Sequence, residues 1–524
     1  MNACDEILRL GLSRLDESAL ITYGADAGAG TEPAVFTHAA LRRLIAQAAG
    51  VIDAAGVGKG DRVAIVMNDG EHWCAAFLGA MKLGAVPMAI NTRLSSAHYA
   101  FIATDSAATL WLVEDTLVDL VGAAPAAAGA RRLLCSEFAQ ACTSAPEREA
   151  SVPCLSDSPA FWLYSSGTTG PPKGIVHSHA SCAASGKLLR EVVGIGAGDT
   201  VLSTSKLFFA FALDNALLGP LAMGAVTVLN AAWAEPERVA EQTARHAPRI
   251  VMSVPSFFRR LLALDPSRLA PFRDVDFFYT GGERVPDAVA TEWEAASGRP
   301  LSACYGMSET YCNAIAHYPG RERLGSCGEL LPGVVVDLRD HAGAGVPPGE
   351  PGVLWLRHPT IALRYHRDEF NARSFEGAWF CTNDLFTCDA EGHFWHQGRA
   401  DELLKVAGQW VKPGEVEEAA LAAGLASEAA CVVAPDQDGF DRLGLFIVPA
   451  ADRVNLDGSA DAQAARDDVL ALLETALRAR LPRHSLPRWI RQIDELPRTP
   501  TGKVQRFRLR ELLLAEQSPA SIAR

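Results

Sequence analysis

No two cysteines are spaced C-x-x-C, and the 12 that occur form no cluster with histidine at zinc-site spacing. A zinc framework is therefore excluded, and the scattered thiols read as free side chains in a reducing compartment. A basic surplus is missing too: 48 Lys and Arg stand against 62 Asp and Glu, a net charge of −14. Wrapping of nucleic acid, which needs many cations against phosphates, is excluded. A nucleotide ligand is not, because a few local cations suffice for one phosphate group. The opening Met1-Asn-Ala-Cys-Asp-Glu6 lacks the basic and apolar regions of a secretory leader. The most membrane-like run, 207–229, contains Asp214, Asn215 and Pro220, which are costly in lipid. It reads instead as a buried strand, turn and helix. A cytoplasmic protein without a membrane span is expected. No internal repeat is found.

What is present is a chain of 524 residues, 49% apolar and 21% charged, which is a globular composition and too long for one ordinary core. Helical patterns over 41–55, 72–83 and 98–104 alternate with apolar strands over 62–67, 86–90 and 110–113. Further strands are expected over 160–164, 201–203, 225–229, 250–254 and 277–279. Such alternation predicts α/β layers with largely parallel sheets. The Ala/Gly/Pro-rich 122–130 reads as a loop. From about 333 the pattern changes to strands over 334–338, 352–356 and 393–396 among Gly/Pro turns, a β-rich subdomain. After Arg399, helices over 415–422 and 467–480 and strands over 430–434 and 443–448 predict a small α+β unit, with 457–466 as a surface excursion. The expected domains are 1–397, with its β-rich part at about 333–397, and 398–524.

The most chemically pointed segment is Tyr164-Ser-Ser-Gly-Thr-Thr-Gly-Pro-Pro-Lys-Gly174. Gly167, Gly170 and Gly174 permit tight turns and a close backbone approach to a ligand. The hydroxyls of Ser165, Ser166, Thr168 and Thr169 can donate to phosphate oxygens, and Lys173 adds positive charge. A Walker A loop is ruled out, since Lys173 sits between Pro172 and Gly174. Four Ser/Thr hydroxyls, three glycines and a lysine within eleven residues are also unlike a random linker.

This loop resembles the phosphate loop of the adenylate-forming superfamily, which includes acyl-CoA synthetases, adenylation domains and luciferases. Other segments match in order along essentially the whole chain. Gly281-Gly282-Glu283 and Tyr305-Gly306-Met-Ser308-Glu309 resemble the adenine-binding and Tyr-Gly-x-Thr/Ser-Glu motifs. The resemblance implies that Tyr305 stacks on adenine, Ser308 contacts the α-phosphate and Glu309 binds Mg²⁺. An aromatic face suits a purine, and a hard cation prefers carboxylate and phosphate oxygens. Trp379-Phe-Cys-Thr-Asn-Asp384 is similar to Trp-x-x-Thr-Gly-Asp, with Asp384 implied to hold the ribose hydroxyls. Asn383 replaces the usual glycine, and asparagine tolerates left-handed backbone.

Gly398-Arg399-Ala-Asp401-Glu402 through Lys405 and Gly408 resembles the family hinge, with Glu402 where Asp is usual. The resemblance implies that Arg399 reaches ribose and phosphates and that a mobile C-terminal domain turns about Asp401. It also implies that Lys405, Gly408 and Trp410 line the channel for the coenzyme A thiol. Lys503, in Pro497-Arg-Thr-Pro-Thr-Gly-Lys503, is implied to bridge the substrate carboxylate and the α-phosphate.

Lys206-Leu-Phe-Phe-Ala210-Phe211 is similar to the acyl-pocket segment of benzoate-type CoA ligases. Ala210 and Phe211 would then line the pocket, with Gly281, Tyr311 and Cys312 opposite. Asp214 is expected to cap the helix that follows, with contact to a ring substituent as the alternative. The resemblance implies ATP, Mg²⁺ and CoA, a small aromatic acid as substrate, and a homodimer as one possible state. Two other readings stay open. One is a stand-alone adenylation enzyme that loads a carrier-protein phosphopantetheine; the chain ends soon after Lys503 without a carrier domain, which favours free CoA. The other is a non-catalytic nucleotide-binding paralogue, against which stand the intact Lys173, Glu309, Asp384, Asp401 and Lys503.

Overall fold

Apolar strand residues become buried on both faces, as they do throughout Val86–Ala89 and Leu110–Val113 and after the first residue of Arg62–Val66. The structure is a computed structural model. It describes all residues except 27, 29, 166–171, 341, 401–403, 407–408, 412, 437–438, 451–459, 499–503 and 517–524. Only the backbone is described for 404–406, 409–410 and 460–468.

The chain folds as layered α/β sheets followed by a β-rich sheet and a small α+β unit. One sheet has seven strands, in the order Arg364–Tyr365, Lys173–Ser178, Pro159–Ser165, Val86–Ala89, Arg62–Val66, Leu110–Val113 and Arg131–Leu134. From Pro159–Ser165 onward it is parallel, and the other two strands are antiparallel. The other large sheet has nine strands. Its parallel centre runs Leu301–Tyr305, Phe277–Thr280, Ile250–Ser253, Thr200–Ser203, Val226–Asn230 and Ser18–Tyr23.

Helices pack between these sheets. Thr37 starts the helix His38–Ala54 by accepting the Ala40 N–H on its side chain. That helix lies close against Glu71–Lys82, because a Cβ on Gly79 would come within 3.0 Å of the Ala49 backbone nitrogen. Glycine here sets the distance between the two helices.

Five antiparallel strands, Val335–Arg339, Gly352–Arg357, Phe375–Glu376, Trp379–Cys388 and Phe394–Arg399, form the β-rich sheet. Its last strand runs through Gly398 and Arg399, two residues past the expected boundary. The small unit is built on Ala426–Pro435, Asp441–Pro449 and Trp489–Gln492. Pro413–Leu421 and Ala460–Arg480 pack on one face of it and Arg506–Glu516 on the other. Among the described residues, the core clusters that end by Phe394 share no member with those that begin at Val411.

Three expectations are corrected. The run 207–229 is helical first, through Met223, and then a strand, Val226–Asn230. The Ala/Leu-rich part favours helix, and Gly224 at φ +68° ends it before the β-branched Val226-Thr-Val. The helix expected at 467–480 begins at Ala460, because the Ala-rich stretch before 467 is itself a good helix former. A short helix, Ala124–Ala127, also interrupts the expected loop at 122–130.

Candidate active site

The chain leaves Thr200–Ser203 in both directions, to Val226–Asn230 on one side and Ile250–Ser253 on the other. A crevice for ligands forms at the carboxyl ends of parallel strands where the order reverses in this way. The strands beside it deliver Gly281 and Gly282 after Thr280, and Gly306 after Tyr305, to that edge.

Tyr305, Asp384 and Arg399 are brought together there. The Tyr305 hydroxyl donates to Asp384 Oδ2 at 2.6 Å, and Arg399 Nη1 lies 3.3 Å from Asp384 Oδ1. Strand pairing places Arg399 directly opposite Asp384. The turn before the carboxylate holds Asn383 at φ +59°, the left-handed region, and the Thr382 hydroxyl accepts the Asp384 N–H at 3.0 Å. Burial alone would raise the Asp384 pKa, but His396, then Arg399 and Tyr305, outweigh it and hold the carboxyl below its ordinary range. The Tyr305 ring meets Phe386 edge-on at 4.9 Å and lies near-parallel to His396 at 6.3 Å. Burial first, and the Asp384 charge second, push its phenol well up, so it stays a neutral donor.

Glu309 is buried and accepts the Tyr365 hydroxyl at 2.7 Å. The Ser308 carbonyl accepts from His177 Nε2 at 2.8 Å. Burial pushes that imidazole down to about 4, so it is neutral with its proton on Nε2. Lys173 is paired across the hairpin with Ser165, and its Nζ lies 4.5 Å from the Phe370 ring centroid and 5.7 Å from that of Tyr365. Tyr365 therefore joins the Lys173 and Glu309 sides of the site. Neither of the two metal-capable side-chain clusters among the described residues contains Glu309. A lone buried carboxylate fits Mg²⁺, which takes most of its oxygens from phosphate and water.

On the acyl side, the Phe211 ring lies against Gly281. A Cβ on Gly281 would stand 3.7 Å from Phe211 Cε2 and 3.1 Å from the Cys304 carbonyl oxygen and Sγ. Ala210 and Cys312 are buried. Asn215 Nδ2 donates to the Phe211 carbonyl at 2.9 Å and to Asn313 Oδ1 at 3.1 Å, tying the helical segment to the loop after Tyr311. Tyr311 has φ +61°; its ring packs edge-on to Phe161, and its hydroxyl lies 2.7 Å from that of Ser185. Asp214 does not cap its own helix. Its Oδ1 accepts the Gly186 N–H at 2.7 Å, from 28 residues upstream.

Glu283 is exposed, and its neighbour Arg284 pairs with Glu418 of the helix Pro413–Leu421. Lys405 and Trp410 are backbone partners in the two-stranded ribbon Leu404–Val406/Gln409–Val411. Ser166, Gly167, Thr168, Thr169, Gly170, Asp401, Gly408 and Lys503 lie outside the described residues. Sequence reading missed His177, Tyr365, Phe370 and His396. Only His396 carried a signal, as the residue two after Phe394 on the strand leading into Gly398-Arg399. A cleft of about 370 Å³ is lined by Lys59, Arg62, Trp162, Arg364 and His366, and by none of these groups.

The fold and this cluster define a nucleotide-handling α/β enzyme with a separate C-terminal unit. Residues 15–366 match the family described as AMP-binding enzyme, and 415–503 match the AMP-binding enzyme C-terminal domain; the chain belongs to this family. It is 36% identical over 533 residues to a 3-hydroxybenzoate–CoA ligase of Aromatoleum sp. (strain CIB), covering 98% of this chain and 97% of that one. It is 34% identical over 542 residues to a 3-hydroxybenzoate–CoA/4-hydroxybenzoate–CoA ligase of Thauera aromatica, covering 98% of each. Among solved structures, the anthranilate CoA ligase AuaEII in complex with anthranoyl-AMP superposes with a TM-score of 0.86 at 28% identity, covering 98% of both chains. No helix among the described residues is long and apolar enough to cross a membrane.

Proposed function

We infer that the chain is an ATP-dependent carboxylate–CoA ligase that activates a small aromatic acid as an acyl-AMP and transfers the acyl group to coenzyme A. The observation that carries this is the Tyr305–Asp384–Arg399 cluster at the carboxyl edge of the switch-point strands, in a chain similar end to end to hydroxybenzoate–CoA ligases. In the first half-reaction a carboxylate oxygen attacks the α-phosphorus of ATP and the bond to pyrophosphate breaks. In the second a thiol sulfur attacks the acyl carbonyl, the thiol proton is lost and AMP departs.

Each residue has a role in this scheme. Asp384 accepts from the ribose hydroxyls, and the ionised state that His396 and Arg399 enforce suits it to that task. Tyr305 offers its ring to the adenine, alongside the Gly281-Gly282-Glu283 and Gly306 backbone. Ser165, Ser166, Gly167, Thr168, Thr169, Gly170 and Lys173 surround the phosphates, and Ser308 contacts the α-phosphate. Glu309 would hold Mg²⁺, which supplies charge neutralisation on the phosphates when bound. Lys503 orients the carboxylate and stabilises charge on the phosphorus. Ala210, Phe211, Gly281 and Cys312 shape the acyl wall, with Tyr311 fixing the loop behind it.

The domain reading is a unit through Arg399 and a C-terminal unit that turns about Asp401. That turn would withdraw Lys503 and bring Lys405, Gly408 and Trp410 to the thiol channel. The separate core clusters on either side of residue 400 support it. A cytoplasmic location agrees with 12 cysteines that are all free. Pyrophosphate release across a panel of acids, repeated with CoA and with a phosphopantetheinyl carrier protein, tests the reading. Carrier-only transfer would replace CoA as acceptor, and sizing of the purified protein decides between monomer and homodimer.

A further inference from the structure

The cleft of about 370 Å³ over Trp162 shares no lining residue with the candidate active site. It is built where the chain enters three neighbouring strands, from Gly60 ahead of Arg62–Val66, Gly84 ahead of Val86–Ala89 and Ser158 ahead of Pro159–Ser165. Its volume falls in the range of small-molecule sites, which are apolar with a few placed polar groups. The apolar part is supplied by Trp162, Val86, Pro159 and Cys154. Trp162 is 5% exposed, and its ring centroid lies 4.6 Å from that of His366, so packing fixes it as a flat surface.

The charge at the cleft is of one sign. Lys59, Arg62 and Arg364 line it. Lys59 Nζ donates one hydrogen bond, to the Pro153 carbonyl at 2.7 Å, and keeps two N–H groups. Arg62 spends its guanidinium on the Ser106, Ala107 and Gly60 carbonyls, so it supplies fixed charge and no free donor. Arg364 is exposed, with no hydrogen-bond or ion-pair partner among the described residues. The one lining carboxylate, Asp105, is already matched: Oδ1 accepts Arg367 Nε at 2.7 Å and Oδ2 accepts the Tyr164 hydroxyl at 2.8 Å. Three cations without a carboxylate partner thus surround one apolar floor, in a chain of net charge −14. A cleft with one sign of charge over low-dielectric walls concentrates counter-ions.

The cleft also backs onto the phosphate side of the active site. Successive side chains leave a strand on opposite faces. Arg364 and His366 line the cleft, and the Tyr365 hydroxyl between them donates to Glu309 at 2.7 Å. The same stretch is tied to the residue after Lys173, because the His366 N–H donates to the Gly174 carbonyl at 2.8 Å. A ligand that grips Arg364 therefore restrains the segment that positions Tyr365.

We propose that this cleft is a second binding site, for a small organic anion carried on a flat apolar body, separate from the catalytic crevice and coupled to it through the segment Arg364-Tyr365-His366. The flat body lies on Trp162, and the anionic group meets Arg364 and Lys59. The site does not depend on which acid the enzyme activates.

The probe is naphthalene-2-sulfonate, an anion that adenylation does not consume, with naphthalene-2-sulfonamide as its neutral match. In calorimetry on the full chain the sulfonate should bind roughly tenfold or more tightly than the sulfonamide, because hydrogen bonds to an ionised group are about twice as strong as neutral ones. Arg364→Gln and Lys59→Gln should each weaken the sulfonate by roughly tenfold, and Ala210→Leu in the acyl wall should leave it unchanged. Added ATP and Mg²⁺ should shift the dissociation constant of the probe by about fivefold. Tyr365→Phe, which cuts the link to Glu309 without altering the cleft lining, should abolish that shift and keep the binding. Equal binding of sulfonate and sulfonamide, binding that survives both cation variants, binding lost in Ala210→Leu, or no binding at millimolar probe overturns the site. Binding with these signatures but no response to ATP overturns the coupling. None of these outcomes bears on the ligase reading, whose residues do not line the cleft.

Discussion

The two halves of the site differ in how much of their buried polarity the protein itself satisfies. On the nucleotide side, Tyr305, Asp384, His396 and Arg399 satisfy one another and Glu309 is held by Tyr365, while His177 Nδ1 is buried without a partner among the described residues. On the acyl side, Asp214 Oδ2 has only the Cys312 thiol beside it, and Asn215 Oδ1 and Thr280 Oγ1 are buried without a partner among the described residues. A common ligand such as a nucleotide can be met by exchanging protein–protein hydrogen bonds for protein–ligand ones at little net cost.

The largest effects are expected from the two residues proposed to serve separate half-reactions. Lys503→Ala should lower acyl-AMP formation by about 10²–10³-fold, the scale seen when a donor to a developing charge is removed, and largely spare thioester formation from supplied acyl-AMP. Gly408→Leu should do the reverse. Rapid-quench assays of the separate half-reactions check this, and equal losses in both variants would defeat the two-state scheme.

Next comes the nucleotide side. Asp384→Asn leaves Arg399 and His396 without their carboxylate. It should cost about 2 kcal/mol in urea unfolding and raise the KM for ATP, without changing the ranking of acids. The Asp384 carboxyl is held below its ordinary 3.8, so its contribution is complete above that pH and is lost as pH falls through the lowered pKa. The deficit of the variant should persist at about pH 5 and narrow only as pH falls below the ordinary value.

Ala210→Leu tests the acyl side alone. Overpacking of a filled wall costs about 1–3 kcal/mol, so the loss in kcat/KM should be at least about tenfold for bulky aryl acids and slight for small aliphatic ones. An altered KM for ATP would show that the two walls are not independent. The smallest effect is expected from Tyr365→Phe, which removes one hydrogen bond to Glu309, worth about 1 kcal/mol, and should lower kcat several-fold at limiting Mg²⁺ and less at saturation.

How much of this was legible in the sequence differs between the halves in the same way. The residues proposed for the nucleotide side lie in short contiguous motifs, so Tyr305, Glu309, Asp384 and Arg399 were named from the resemblance of those segments to the family's. The left-handed turn at Asn383 was readable from the residue's own preference. The groups that support them were not. Tyr365 reaches Glu309 from 56 residues away and His177 reaches the Ser308 carbonyl from 131 away, with no local pattern to announce either contact.

Strands such as Leu110–Val113 were plain because they are apolar end to end. The 207–229 run was misread in order, since a long apolar stretch does not by itself distinguish helix from strand. The misreading of Asp214 has a related cause. A carboxylate near a helix start usually finds its donor in that helix, and here the donor is Gly186, which only the tertiary fold supplies.

The central claim is tested most directly by incubating the purified full chain with ATP, Mg²⁺, CoA and a panel of aromatic and aliphatic acids, and quantifying AMP, pyrophosphate and acyl-CoA together. The account predicts equal amounts of all three products, with small aromatic acids turned over best and aliphatic acids poorly. Pyrophosphate released without any CoA ester, or turnover confined to aliphatic acids, would contradict it.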